Sequence, residues 1–117
     1  MRHRKKDKHL GRTSSHRKAL RRNLAISIFT YGRIITTMEK AKYVRSFVEK
    51  IITSAKKGIV KKETDRLAYV HYYRQVLSKL TNKEVVRKLF GEGEWRESGG
   101  IAERYADRNG GYTRILK

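Results

Sequence analysis

Hydrophobic positions along this 117-residue chain recur mostly at helical spacing, and the pattern begins late. Through position 13 the only large aliphatic side chain besides Met1 is Leu10, so this stretch cannot build a core of its own. From there Leu20, Leu24 and Ile28 recur every four residues, flanked by Ala25 and Tyr31, and predict one buried helical stripe. Thr13, Ser14 and Ser15 offer hydroxyls to the unpaired N–H groups of a first turn, and Gly32 is placed to cap the other end. Arg17, Arg21 and Arg22 fall off that stripe, on the expected helix surface.

Residues 33–37 (Arg-Ile-Ile-Thr-Thr) are short and β-branched, which predicts a strand. Thr36 and Glu39 fit a capping box for a second helix over about 38–57, with Ala41, Val44, Val48, Ile51, Ile52 and Ala55 inward and Gly58 after its end. A third helix over about 63–80 carries Tyr69, Tyr73, Val76, Leu77 and Leu80 on one side. Thr81 and Glu84 repeat the capping pattern before a short fourth helix with Val85, Val86, Leu89 and Phe90, stopped at Gly91. Residues 91–100 show no period and predict a loop, followed by a short helical piece at about 101–106. Gly110 and Gly111 turn the chain into an expected strand at 112–116, with Tyr112, Arg114 and Leu116 on one face.

Charge changes the picture most at the N-terminus. Ten of the thirty Lys and Arg residues lie in the first 22 positions, beside a single acid, Asp7, so this segment carries +9 of the formal +19. The expected layout is a basic extended tail over 1–13 and one globular domain over 14–117. A segment of this kind is ordered where dense negative charge neutralises it, and phosphate backbone is the leading candidate, ahead of an anionic membrane surface. Residues 1–13 have no helical apolar stripe, which argues against an organellar import helix. The chain has no cysteine, which excludes disulfides and thiolate zinc sites, and no apolar run approaches the ~20 residues that cross a bilayer.

Candidate catalytic chemistry is thin. His3, His9 and His16 are too widely spaced for a metal site, and surrounding cations oppose one; they suit hydrogen bonding to phosphate or stacking on bases. Ser14, Ser15 and His16 are adjacent, whereas a catalytic triad needs separate positions that converge in space. No pair of acids is singled out for general acid–base work, and Gly91-x-Gly93 lacks the context of a phosphate loop. No enzyme, metal, cofactor or small-molecule substrate is expected. Trp95 has two open readings, covering the core edge or stacking on a nucleotide. The second helix's Lys40, Lys42, Arg45, Lys50, Lys56 and Lys57 read first as a solvated face. Lys40 and Lys42 stand out, because cations in a first turn oppose the helix dipole unless phosphate is bound there.

Several separated motifs together carry a resemblance. They are Met1-Arg2-His3, Leu10-x-Arg12, Ser15-His16-Arg17, Arg22-Asn23, Ile35-x-Thr37, Lys40-Ala41-Lys42 with Glu49, Ala55-Lys56, and the closing Asp107-Arg108-x-Gly110-Gly111-Tyr112-Thr113-Arg114-Ile115-Leu116-Lys117. In that order they resemble the bacterial ribosomal large-subunit protein seventeen family over nearly the whole chain. The resemblance implies an α/β (α+β) fold in two layers, about four helices packed on a small mixed sheet, with the basic tail inserted into 23S-type ribosomal RNA. It implies no catalysis, and a place on the solvent side of the large subunit near the polypeptide exit region, among neighbouring large-subunit proteins. Members of the family continue past the Ile-Leu-Lys strand into a hairpin. This sequence ends at Lys117, so the strand at 112–116 is expected to lack its partner. The 91–100 loop also looks longer than the family norm.

Carried onto this chain, the expected RNA contacts are Arg2, His3, Arg4, Lys5, Lys6, Lys8, His9, Arg12, Ser15, His16, Arg17, Arg21 and Arg22, with Lys40, Lys42, Arg108, Tyr112 and Arg114 as secondary ones. The expected setting is the ribosome, cytoplasmic or organellar, with no membrane contact. The alternative from a different class is a DNA-binding architectural protein. That reading asks for a base-reading recognition helix and a dimer face, and neither stands out. A small metal-dependent nuclease is the third.

Overall fold

The computed structural model describes residues 10–117, which form five α-helices: α1 (Ser14–Tyr31), α2 (Met38–Val60), α3 (Arg66–Leu80), α4 (Lys83–Phe90) and α5 (Ile101–Arg104). Local chemistry starts and stops each long element. Thr13, Thr37, Asp65 and Asn82 sit in extended conformation and accept the first-turn N–H groups of His16, Lys40, Ala68 and Val85. Two caps differ from expectation by one position. Thr37, not Thr36, opens α2; Asn82, not Thr81, opens α4, because Thr81 is already used as the left-handed end of α3 at φ 53°. Helix α3 likewise begins at Arg66, since Asp65 is its cap.

Helix α2 is the spine and touches each of the other four helices. Val44, Phe47, Val48, Ile51, Ile52 and Ala55 follow the 3–4 spacing that keeps one face inward, and all are buried. Around it α1 supplies Ala25 and Phe29, α3 supplies Tyr69, Val76 and Leu80, and α4 supplies Val85, Val86, Leu89 and Phe90. Gly58 is not a stop signal. It is buried one turn inside α2, where a Cβ would lie 2.9 Å from Phe90 Cε1 and 3.0 Å from Tyr72 Cβ. A bare backbone at that point lets α3 and α4 close on the spine.

The expected small mixed sheet is absent: among the described residues there is no strand, and the fold is all helical rather than α/β. Residues 33–37 are irregular, and Ile35 is 96% exposed. β-Branched composition favours a pleated, half-buried surface, but a strand also needs a neighbour to satisfy its backbone. The second expected strand does not provide it. The N–H of Tyr112 donates to the Glu49 carboxylate on α2 (2.8 Å) instead of to a strand. Tyr112 is buried while Arg114 and Leu116 are exposed, so the shared face expected of these three does not form.

The segment 91–100 is more constrained than an open loop. It contains a single 3-10 turn at Gly93–Trp95, and its two ends are pressed together. A Cβ on Gly100 would lie 2.4 Å from Gly91 N and 2.5 Å from Leu89 O, so only glycine permits that backbone contact.

Candidate nucleic-acid interface

Helix α1 contains four bases and no acid: Arg17, Lys18, Arg21 and Arg22. Its inward stripe is displaced from the one expected on Leu20, Leu24 and Ile28. The buried positions are Ala25 and Phe29, whereas those three aliphatics are half-buried and Tyr31 is 76% exposed. Counting back by four from Phe29 and Ala25 reaches Arg21 and then Arg17. These two cations therefore continue the core-facing stripe instead of lying off it, and both are half-buried. One helix face runs from hydrophobic core to guanidinium within three turns.

The spine helix meets this face with two aromatic side chains, one on the Arg21 guanidinium and one on the Arg17 backbone. The Arg21 guanidinium carbon sits 4.3 Å from the centroid of Phe47, and the Tyr43 hydroxyl donates to the Arg17 carbonyl at 3.4 Å. A guanidinium on an aromatic face buries its stem while its N–H edge stays available to a ligand. Lys40, Tyr43, Phe47 and Lys50 share one flank of α2 by helical spacing, so lysines bracket the aromatic pair. Arg17 Nη1 also donates to the Arg12 carbonyl (2.8 Å), and Arg12 Nη1 donates to the Leu10 carbonyl (2.7 Å), folding the chain back onto the start of α1. The Nε atoms of Arg12 and Arg21 are buried and have no hydrogen-bond partner.

Other expected contacts are distributed as follows. Arg2, His3, Arg4, Lys5, Lys6, Lys8 and His9 lie outside the described residues. Ser15 and His16 are exposed in the first turn of α1, and Arg22 is half-buried about two turns further along it. Lys40 is half-buried and Lys42 exposed in the first turn of α2. Arg108, Tyr112 and Arg114 belong to a separate cluster near the other end of α2. From Lys40 to Lys56 that helix rises ~24 Å.

The second cluster is organised by two residues that were not among the expected contacts, Glu49 and Lys56. Lys56 Nζ donates to the Arg108 carbonyl and, at 2.9 Å, to the Tyr112 hydroxyl, while Glu49 accepts the Tyr112 N–H. The ammonium is 4.8 Å from the Tyr112 ring centroid, which with the shorter contact to oxygen places it at the hydroxyl edge. That donated bond holds the Tyr112 hydroxyl below its ordinary pKa. Tyr105 packs on Tyr112 at 5.5 Å, and the Arg108 guanidinium lies 5.4 Å from the Tyr105 ring. Glu49 and Lys56 lie seven residues apart, two turns on one helix face, so both reach the same returning turn, but nothing in their local sequence marks that turn as their partner.

Ion pairs join Arg45 to Glu49, Lys62 to Glu92, Arg87 to Glu84 and Arg96 to Glu92. Glu92 also accepts the Tyr69 hydroxyl. That bond, with Lys62 nearby, holds the Glu92 carboxyl below its usual range, while burial and the same carboxylate push the Tyr69 hydroxyl well above its own. Trp95 is half-buried, with the Lys88 ammonium 5.2 Å from its ring and an indole N–H that lacks a partner. Among the described residues no group of three or more His, Asp or Glu side chains comes together as a metal site, and no helix is long and apolar enough to cross a membrane.

Fold and charge distribution first define a class: small, strongly basic helical domains whose first helix carries cations and no acid. The particular family follows from comparison with known proteins. The family model described as Ribosomal protein L17 matches residues 20–117, and the chain belongs to that family. A protein named large ribosomal subunit protein bL17 from Desulfotalea psychrophila is 48% identical over 117 residues, covering all of this chain and 77% of that protein. The protein of that name from Thermus thermophilus is 48% identical, with 84% of its length covered, and the one from Campylobacter lari is 45% identical, with 85% covered.

Proposed function

We propose that this protein is a structural constituent of the large ribosomal subunit, without catalysis of its own, and that it holds large-subunit ribosomal RNA through its basic N-terminal segment and the first half of α1. Its relatives carry the large-subunit name, which supports the coarse role in the bacterial cytoplasm among RNA and neighbouring ribosomal proteins. The observation that carries the finer reading is the acid-free α1, whose Arg21 guanidinium is mounted on Phe47 and whose backbone at Arg17 is tied to Tyr43. The helix is a rigid footing, and the nine residues before Leu10 can span at most ~30 Å from it. Ordering such a tail costs about 1 kcal/mol or more per residue, which several phosphate contacts with counterion release must exceed. Six to eight contacts give a log–log salt slope of roughly −4 to −7. The segment is rich in phosphate donors and poor in carboxylate or amide side chains that read base edges, so it suits recognition of RNA shape.

Deleting residues 1–12 retains the Thr13 cap and leaves α1 intact, and it strongly weakens incorporation into the large subunit. Sedimentation with the subunit through a high-salt wash measures this; full retention of the truncated protein refutes the tail's role. Competition between ribosomal RNA and duplex DNA at matched salt separates this reading from a DNA-binding architectural protein.

A further inference from the structure

The last turns of α2 and the turn at 109–112 enclose an open groove of about 430 Å³. Val60 and the largely buried Tyr112 form its apolar part; Thr53, Lys56, Lys57, Asn109 and Gly110 supply its polar rim, and no acid lines it. Lys56 is held in place by its bonds to the Arg108 carbonyl and the Tyr112 hydroxyl, which leaves one of its three N–H donors for a ligand. Lys57 and Asn109 are exposed, and Val60 is 73% exposed at the mouth. Gly110 has a left-handed φ of +87° and nothing within 4 Å of a Cβ position, so a polymer backbone can approach the turn closely.

We propose that this groove takes one unpaired nucleotide of large-subunit ribosomal RNA, its phosphate between Lys56, Lys57 and the Asn109 amide and its sugar and base against Val60 and Tyr112. Cationic rim and apolar wall match the two halves of a nucleotide, and an open groove suits a chain passing through better than a free nucleotide. Lys56 stands ~14 Å along α2 from Phe47, which carries Arg21, and ~20 Å from Tyr43, so the spine helix holds two RNA segments apart at a set distance. This rests on the ribosomal RNA reading above and adds Lys57, Val60 and Asn109 to it.

The test is binding of the full chain to isolated large-subunit ribosomal RNA across a salt series. Lys57→Gln combined with Asn109→Ala should make the log–log slope shallower by about 0.7–0.9, the share of one phosphate. Val60→Asp should weaken binding further by placing a like charge beside the phosphate. All three positions are exposed, so thermal unfolding should be unchanged. Ultraviolet crosslinking should attach a nucleotide to the tryptic peptide 109–114. An unchanged slope in the double variant, with wild type bound and Arg22→Gln weakened, overturns the groove and leaves the RNA reading intact. Failure of the wild type to bind overturns both.

Discussion

Replacing Arg21 by Met keeps a long apolar stem against Phe47 and removes the guanidinium that lies 4.3 Å from its ring. Two effects of opposite sign follow. Loss of the cation–π contact costs ~1 kcal/mol, between the values for exposed and desolvated pairs. Removal of one charge from the Arg17–Arg21 pair, one turn apart on α1, returns about 0.2–0.5 kcal/mol of relieved repulsion. The net is a destabilisation of ~0.5–1 kcal/mol, a drop of about 2–4 °C in Tm for a chain of this size. So small a shift cannot identify its cause, but a double-mutant cycle with Phe47→Leu can. Relief of repulsion occurs with or without the ring and cancels, leaving a coupling of ~1 kcal/mol that belongs to the cation–ring contact. Urea unfolding of the four proteins without RNA measures it. A coupling below ~0.3 kcal/mol would refute the view that the spine's aromatic flank mounts the basic helix.

Two further outcomes test the frame around that helix. Gly100→Ala drives a Cβ into the backbone of Leu89 and Gly91, so it should destabilise by ~3 kcal/mol or more and lower Tm by ~12 °C; an unchanged melting curve would show that the two ends of the 91–100 segment are not in contact. Glu92 has its folded-state pKa depressed, so its contribution is complete above the unfolded value near 4.5 and is lost as pH falls through the folded one. Glu92→Gln should flatten this acid limb in a pH series of unfolding midpoints, and parallel acid limbs in both proteins would count against the assignment.

Helix positions were legible because caps and apolar spacing are local. Thr13, Gly32 and Gly91 read correctly for that reason, and the one-residue errors at Thr36 and Thr81 arose where two hydroxyl or amide side chains are neighbours. Residues 33–37 and 112–116 misled because β-branched and aromatic content records a preference for a pleated surface without recording whether a partner strand exists. Gly58 looked like punctuation, since only the arrival of Phe90 and Tyr72 from other helices shows why a side chain is excluded there. Arg17 and Arg21 were set on the wrong face because Leu20, Leu24 and Ile28 are bulkier than Ala25 and draw the eye to a stripe that is only half-buried. Lys56 looked like one lysine on a solvated face; its bonds to residues 52 and 56 positions away in sequence are invisible to any local pattern.

The acid-free α1 has a consequence for how the protein responds to its surroundings before it meets RNA. With Arg17 and Arg21 one turn apart, and Lys18 and Arg22 likewise, the free domain carries two stacked like-charge repulsions that salt screens. Added salt should therefore firm the unbound fold while loosening its grip on phosphate. The two properties move in opposite directions along one axis, so under the proposed RNA-binding role the conditions that best preserve the isolated protein are those in which it binds least.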